Sequence, residues 1–208
     1  MLRVIATIIV VLVLGWVLLP GPDAPAGEQR VDLGQVLDRT EFAIVKYQQK
    51  LSKAKIREAS DAQLDEFAVF LTEVLNNEPR FYDKQLGIEI GSDAKFTGYA
   101  DDNADGNRDT GERDVFTVEI DEADNRLIAT DVTGWAADKR FAGSGFIAGA
   151  LLGHLIGRQR AAGIAASSFQ ERSTTPRSSY VAPKAASSQG SRTGIWARLR
   201  SGGLRAGK

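Results

Sequence analysis

Residues Asp101 to Glu112 read DDNADGNRDTGE, which puts carboxylate or amide oxygens at positions 1, 3, 5, 9 and 12 of a twelve-residue stretch and a glycine at position 6. Calcium takes six to eight oxygen ligands at roughly 2.3 to 2.6 Å, and a loop that turns alternate side chains inward supplies them. In that scheme Asp101, Asn103 and Asp105 give side-chain oxygens and Asn107 gives its backbone carbonyl. Asp109 coordinates directly or through water, and Glu112 closes the site with both oxygens. Gly106 provides the sharp backbone reversal. The plainer alternative is a solvated turn, because Asp, Asn and Gly suit turns without any metal. Against it stands the mutual repulsion of Asp101, Asp102, Asp105, Asp109 and Glu112, which Arg108 and Arg113 offset only in part and which a divalent cation would relieve.

The pattern D-x-[DN]-x-[DN]-G-x5-E is met at every position. The stretch resembles the calcium loop of EF-hand proteins and, in its D-x-N-x-D-G-x-x-D tract, that of dockerins; the resemblance spans these twelve residues and implies Ca2+ as the ligand. Two features depart from it. Arg108 stands where paired EF-hands carry an aliphatic residue that bridges to a second loop, and the chain has no second loop. The flanks KFTGYA and VFTVEID are rich in β-branched and aromatic residues that alternate with period two, so strands are expected on both sides instead of helices. The expectation is therefore a solitary calcium site in a β-hairpin.

Little else in the 208 residues points to chemistry. There is no cysteine, and His154, the only histidine, lies in an apolar glycine-rich run. No G-x-S-x-G, Walker loop or zinc cluster occurs, so no enzymatic activity is expected. The net charge of -1 hides a partition: residues 20–140 hold 26 acidic and 15 basic side chains, whereas residues 158–208 hold 10 basic side chains and Glu171 alone. Such segregation predicts that the two parts meet different surroundings.

Several elements must position the loop. After Arg3 the run Val4 to Leu19 is apolar and stops at Pro20, which reads as a signal anchor or a signal peptide over residues 1–19, cleaved in the latter case near Ala24-Pro25-Ala26. Residues 20–30 form a Pro/Gly/Ala linker. An α+β domain follows over 31–134, a helical pair packed on a small antiparallel β-meander. Its first helix runs from Val31 to Lys55. The second starts at a capping-box signature, Ser60 with Gln63, and carries the apolar face of Leu64, Phe67, Phe70, Leu71 and Val74. Strands are expected at Leu86 to Ile90, Lys95 to Ala100, Val115 to Asp121 and Arg126 to Thr130.

Residues 135–140 read as a second linker. Beyond it Gly145, Gly149, Gly153 and Gly157 recur every four residues within 141–157, a spacing that resembles the glycine-zipper helices of membrane proteins and implies self-association in lipid. Residues 158–208 are expected to be a disordered basic tail, on the cytoplasmic side by the positive-inside rule. No aromatic stacking series supports nucleic acid as a partner. Together these readings describe a membrane-anchored envelope protein with an exported acidic domain, a structural calcium loop and an interaction or assembly role, for which an envelope protein is the expected kind of partner. The alternative is an oligomeric membrane assembly or pore built on the glycine zipper.

Overall fold

The computed structural model describes residues 30–141 and 149–183. The N-terminal anchor or signal peptide, the linker through residue 29, Gly145 and the tail from residue 184 lie outside the described residues.

The fold is α+β, with three helices and a six-stranded, mostly antiparallel sheet in the order β1-β2-β3-β4-β5-β6. Helix α1 spans Leu33–Lys53 and starts where the Asp32 side chain accepts hydrogen bonds from the backbone amides of Gly34 and Gln35 at 2.9 and 3.2 Å. These satisfy donors that a helix N-terminus leaves open. Helix α2 spans Asp61–Asn76, and Gln63 Oε1 accepts from the Ser60 amide at 2.8 Å, as the capping-box reading requires. Its far end is closed by an arginine from the other helix. The buried Arg39 guanidinium donates to the carbonyls of Val74, Leu75, Asn77 and Pro79 at 2.5 to 3.1 Å and lies over the Phe81 ring.

Strands β1 (Gln85–Ile90), β2 (Phe96–Asp101), β3 (Asp114–Asp121) and β4 (Arg126–Asp131) match the expected four within a residue at each end. Two more were not expected. The segment read as a linker at 135–140 is strand β5, Ala136–Arg140, and the two-residue strand β6, Thr175–Pro176, pairs with it in parallel. The β5 sequence AADKR has low intrinsic strand preference; it is a strand because Ala136 and Ala137 are buried against β4 and its ladder is complete from Thr130–Ala136 to Arg126–Arg140.

One face of the sheet, bearing Phe96, Phe116, Val118, Ile120, Leu127 and Ala129, packs on the helices. Phe67 joins the layers, 5.4 Å from the Tyr47 ring and 5.8 Å from that of Phe96. Helix α3, Ala150–Ala161, belongs to the same core: Leu151, Leu152, Leu155 and Ile156 are buried in it. This corrects the membrane reading of 141–157. The side chains of Phe141, Leu151, Leu152, Leu155 and Ile156 are covered by protein, Gln159 donates to the Ile120 carbonyl at 3.1 Å, and none of the described helices is long and apolar enough to cross a membrane. The glycines serve two different ends. An added Cβ on Gly149 would fall 1.1 Å from the Gln48 amide oxygen, whereas Gly153 and Gly157 face open space.

The basic segment after α3 also differs from expectation, since residues 158–183 are folded onto the domain. A strap, residues 164–183, crosses the second face of the sheet with Phe169 buried beside Ile128 and Ala136. Arg172 pairs with Glu119, and the Thr174 hydroxyl donates to Asp138 at 2.8 Å and accepts from Arg126 at 3.1 Å. Arg177 pairs with Asp38 at 2.8 Å, and the Tyr180 hydroxyl accepts from the Leu33 amide at 3.0 Å. Charge segregation along the chain thus becomes charge pairing across the fold. A composition rich in Ser and Arg reads as solvated only when the acidic partners are not in view.

Candidate metal centre

The acidic loop joins β2 to β3, so both of its flanks are strands. Pairing shifts register at Gly98 and Tyr99, where Phe116 and then Asp114 stand opposite, and this bulge twists the ladder just before the loop. Two cross-strand pairs brace the approach. Gly87 lies opposite Tyr99, and an added Cβ on it would fall 2.1 Å from the ring carbon Cζ; Gly98 lies opposite Phe116, and its Cβ would fall 2.3 Å from that ring. Each ring therefore lies flat over a glycine. This holds the Tyr99 hydroxyl under the loop, where it donates to the Gly106 carbonyl at 3.2 Å.

All six expected ligand residues are in this one loop. Asp101 ends β2 with 2 % of its surface exposed, and its Oδ2 accepts from the Gly106 amide at 2.9 Å. Gly106 itself has φ +78°, the reversal expected of it. Asn103 accepts from the Asp105 amide at 3.1 Å, and its own amide nitrogen donates to Asp105 at 3.0 Å and Asp109 at 2.8 Å. The other oxygen of Asp105 accepts from the Asn107 amide at 2.7 Å. Glu112 spans the mouth, accepting from the amides of Asp102 and Asp109, both at 3.0 Å.

The side chains are thus gathered but engaged with N–H donors, and among the described residues no three acidic or histidine side chains converge as a metal-binding group. One atom breaks the pattern. Asp101 Oδ1 is buried and has no hydrogen-bond partner. An unpaired buried acceptor costs about 1 to 3 kcal/mol, more when it is charged. The Asn103 amide meanwhile lies between two carboxylates, the place where positive charge is wanted most.

Arg108 does not neutralise the loop. Its guanidinium turns out to the sheet, pairing with Glu89 at 2.7 Å and with Asp114, and the hydrogen bond to Glu89 raises its pKa. The phenol of Tyr99 senses the imbalance: burial raises its pKa first, and the charges of Asp101, Glu112 and Asp105 raise it further. The bracing pair of Tyr99 and Gly87 was not singled out in the sequence, because the partners lie in different strands and meet only once the register is set. Comparison with protein-family models, with curated proteins and with solved structures finds no match to this chain.

Proposed function

We propose that the protein is a membrane-anchored, non-catalytic module with an interaction or assembly role, and that its β2–β3 loop binds Ca2+ as a structural ion. The observation that carries the calcium reading is the buried, unpartnered Oδ1 of Asp101 at the base of a loop whose other oxygens lie at ligand spacing. Bound calcium would take that oxygen together with those of Asn103, Asp105, Asp109 and Glu112 and the carbonyl of Asn107. The amide of Asn103 would turn its oxygen inward to join them. Strand flanks and the Tyr99 brace favour a fixed ion over a switch that swings elements apart, and an affinity of about 10⁻⁴ to 10⁻³ M would serve where calcium is abundant.

Membrane attachment rests on the apolar run Val4 to Leu19, with the acidic domain on the outer side. The strap is hydrogen-bonded to that domain, which supports residues 158–183 lying on the same side of the membrane as the domain. The packing of Leu151, Leu152 and Leu155 in the domain core favours this reading over a pore built on residues 141–157. Self-association through the stripe would have only Gly153 and Gly157 among the described glycines facing outward.

Titration calorimetry of the detergent-solubilised full chain tests the calcium reading. One calcium should bind to the native chain and none to Asp101→Asn. Absence of heat up to millimolar calcium in the native chain refutes the site.

A further inference from the structure

The end of the sheet that carries the acidic loop carries a second feature. Strand β3 begins at Asp114 and β4 ends at Asp131, and Phe116 pairs with Asp131, so the loop and the β4–β5 turn leave the sheet from the same end. That turn is held by Asp131, whose Oδ1 accepts from the amides of Thr133 and Trp135 and whose Oδ2 accepts from Arg30. The turn presents apolar surface to solvent. Val132 is 53 % exposed and Trp135 39 %, while Val181, next to the Tyr180 that packs 5.7 Å from the Trp135 ring, is 71 % exposed. Among the described residues these are three of the four large hydrophobic side chains left in water; Val69 on α2 is the other.

We infer that this end of the sheet is a lipid-docking face, brought onto anionic headgroups when calcium occupies the β2–β3 loop. The inference rests on the calcium and anchor readings above. Three observations select lipid as the occupant. The chain enters the domain here, since Arg30 lies 4.7 Å over the Trp135 ring and pairs with Asp131. Only ten residues, 20–29, separate this point from the apolar N-terminal run, and a chain of ten residues reaches at most about 36 Å. Trp beside valines and cations is also the composition of a membrane interface.

Charge supplies the control. A loop with five carboxylates facing anionic lipid is repelled within a Debye length of about 8 Å. Calcium cancels two of those charges, and with seven of its six to eight positions taken by the loop it has at most one left for a phosphate oxygen. Arg30, Lys84 and Arg113 line a cavity of about 80 Å³ between the loop base and the Val132–Thr133 turn together with Asp83, Asp114 and Asp131, so this lining is balanced in charge and the surplus positive charge comes from the ion. Weak apolar contact and calcium-dependent attraction then act together, as reversible membrane association requires.

The full chain has three tryptophans, Trp16, Trp135 and Trp196, so Trp16→Phe with Trp196→Phe leaves Trp135 as the reporter. In vesicles of phosphatidylcholine and phosphatidylglycerol carrying brominated acyl chains, added calcium should shift Trp135 emission to the blue and quench it. Chelator, the Asp101→Asn variant, Val132→Asp and vesicles of phosphatidylcholine alone should each reverse this. Emission indifferent to brominated lipid, in a chain that floats with the vesicles and binds calcium by calorimetry, overturns the docking face and leaves the anchor and ion intact. Quenching equal with and without calcium overturns the control. Shielding of Trp135 from acrylamide without quenching by brominated lipid assigns the face to a second copy and also overturns the proposal. Loss of flotation, or of calorimetric heat, points instead to failure of the anchor or of the calcium site.

Discussion

Two acidic regions of this protein handle their charge in opposite ways. On the second face of the sheet Asp121 and Asp138 are both buried, and the Arg126 guanidinium lies between them, 2.8 Å from Asp121 and 3.9 Å from Asp138, with the Thr174 hydroxyl completing the cluster. Asp38 is likewise held between Lys139 and Arg177, each at 2.8 Å. In the β2–β3 loop Asp102 pairs with Lys84 at 2.7 Å, but the carboxylates at ligand positions, Asp101, Asp105, Asp109 and Glu112, meet amide donors, and the Arg108 guanidinium points away to Glu89. Acidic density alone therefore does not identify a cation site. The informative difference is whether the chain brings its own cations to the carboxylates.

The largest test of that contrast is Arg126→Met, which removes the shared cation from two buried carboxylates. It should cost about 3 to 5 kcal/mol, read as a fall in urea midpoint. The corresponding change in the loop, Arg108→Met, should cost under about 1 kcal/mol because its pairs are exposed. Equal losses would erase the distinction.

Next in size is Gly87→Ala. The added methyl meets the Tyr99 ring and should destabilise the domain by about 1 to 3 kcal/mol. Calcium affinity should fall with it if the ring braces the loop; an unchanged affinity separates the brace from the ion.

Calcium itself gives a smaller effect. At tenfold above its dissociation constant it should stabilise the fold by about 1.4 kcal/mol, seen as a rise in melting temperature. Asp101→Asn should abolish the increment and Asp121→Asn should not, because Asp121 is outside the loop. Loss in both variants would mean that the two acidic regions are one system.

The smallest effect concerns the strap. Tyr180→Phe removes the hydrogen bond to the Leu33 amide and should cost about 1 kcal/mol. Burial pushes the Tyr180 phenol up to about 12 from an ordinary value of 10.0. A raised pKa means that the folded state holds its proton longer than the unfolded chain. The contribution is thus fully present below pH 10 and is lost as pH rises toward 12. Alkaline titration of urea stability should show this loss in the native chain and not in the Phe variant.

The α1 and α2 helices, strands β1 to β4 and the hairpin setting of the loop were legible because local pattern and core burial agree there. Ser60 and Gln63 mark a real helix start, and the alternation of Phe116, Val118 and Ile120 marks a real face. Reading failed where a residue's role is set by a distant partner. Ala136 to Arg140 has no strand signature, and only β4 makes it a strand. Arg172 and Arg177 looked solvated until Glu119 and Asp38 came beside them. The leucines of α3 carry one apolar stripe that fits a protein core as well as lipid, and sequence periodicity does not distinguish the two. For the loop, ligand spacing was visible in the sequence, whereas the unpaired Asp101 oxygen and the Tyr99 brace required the register.

The placement of Arg30 and Tyr180 against the same Trp135 ring brings the two ends of the described domain together. The Arg30–Asp131 ion pair and the Trp135–Tyr180 stack tie residues 30 and 180 to the same turn between β4 and β5. The places where the chain enters and leaves the described domain are therefore neighbours, joined through one aromatic ring.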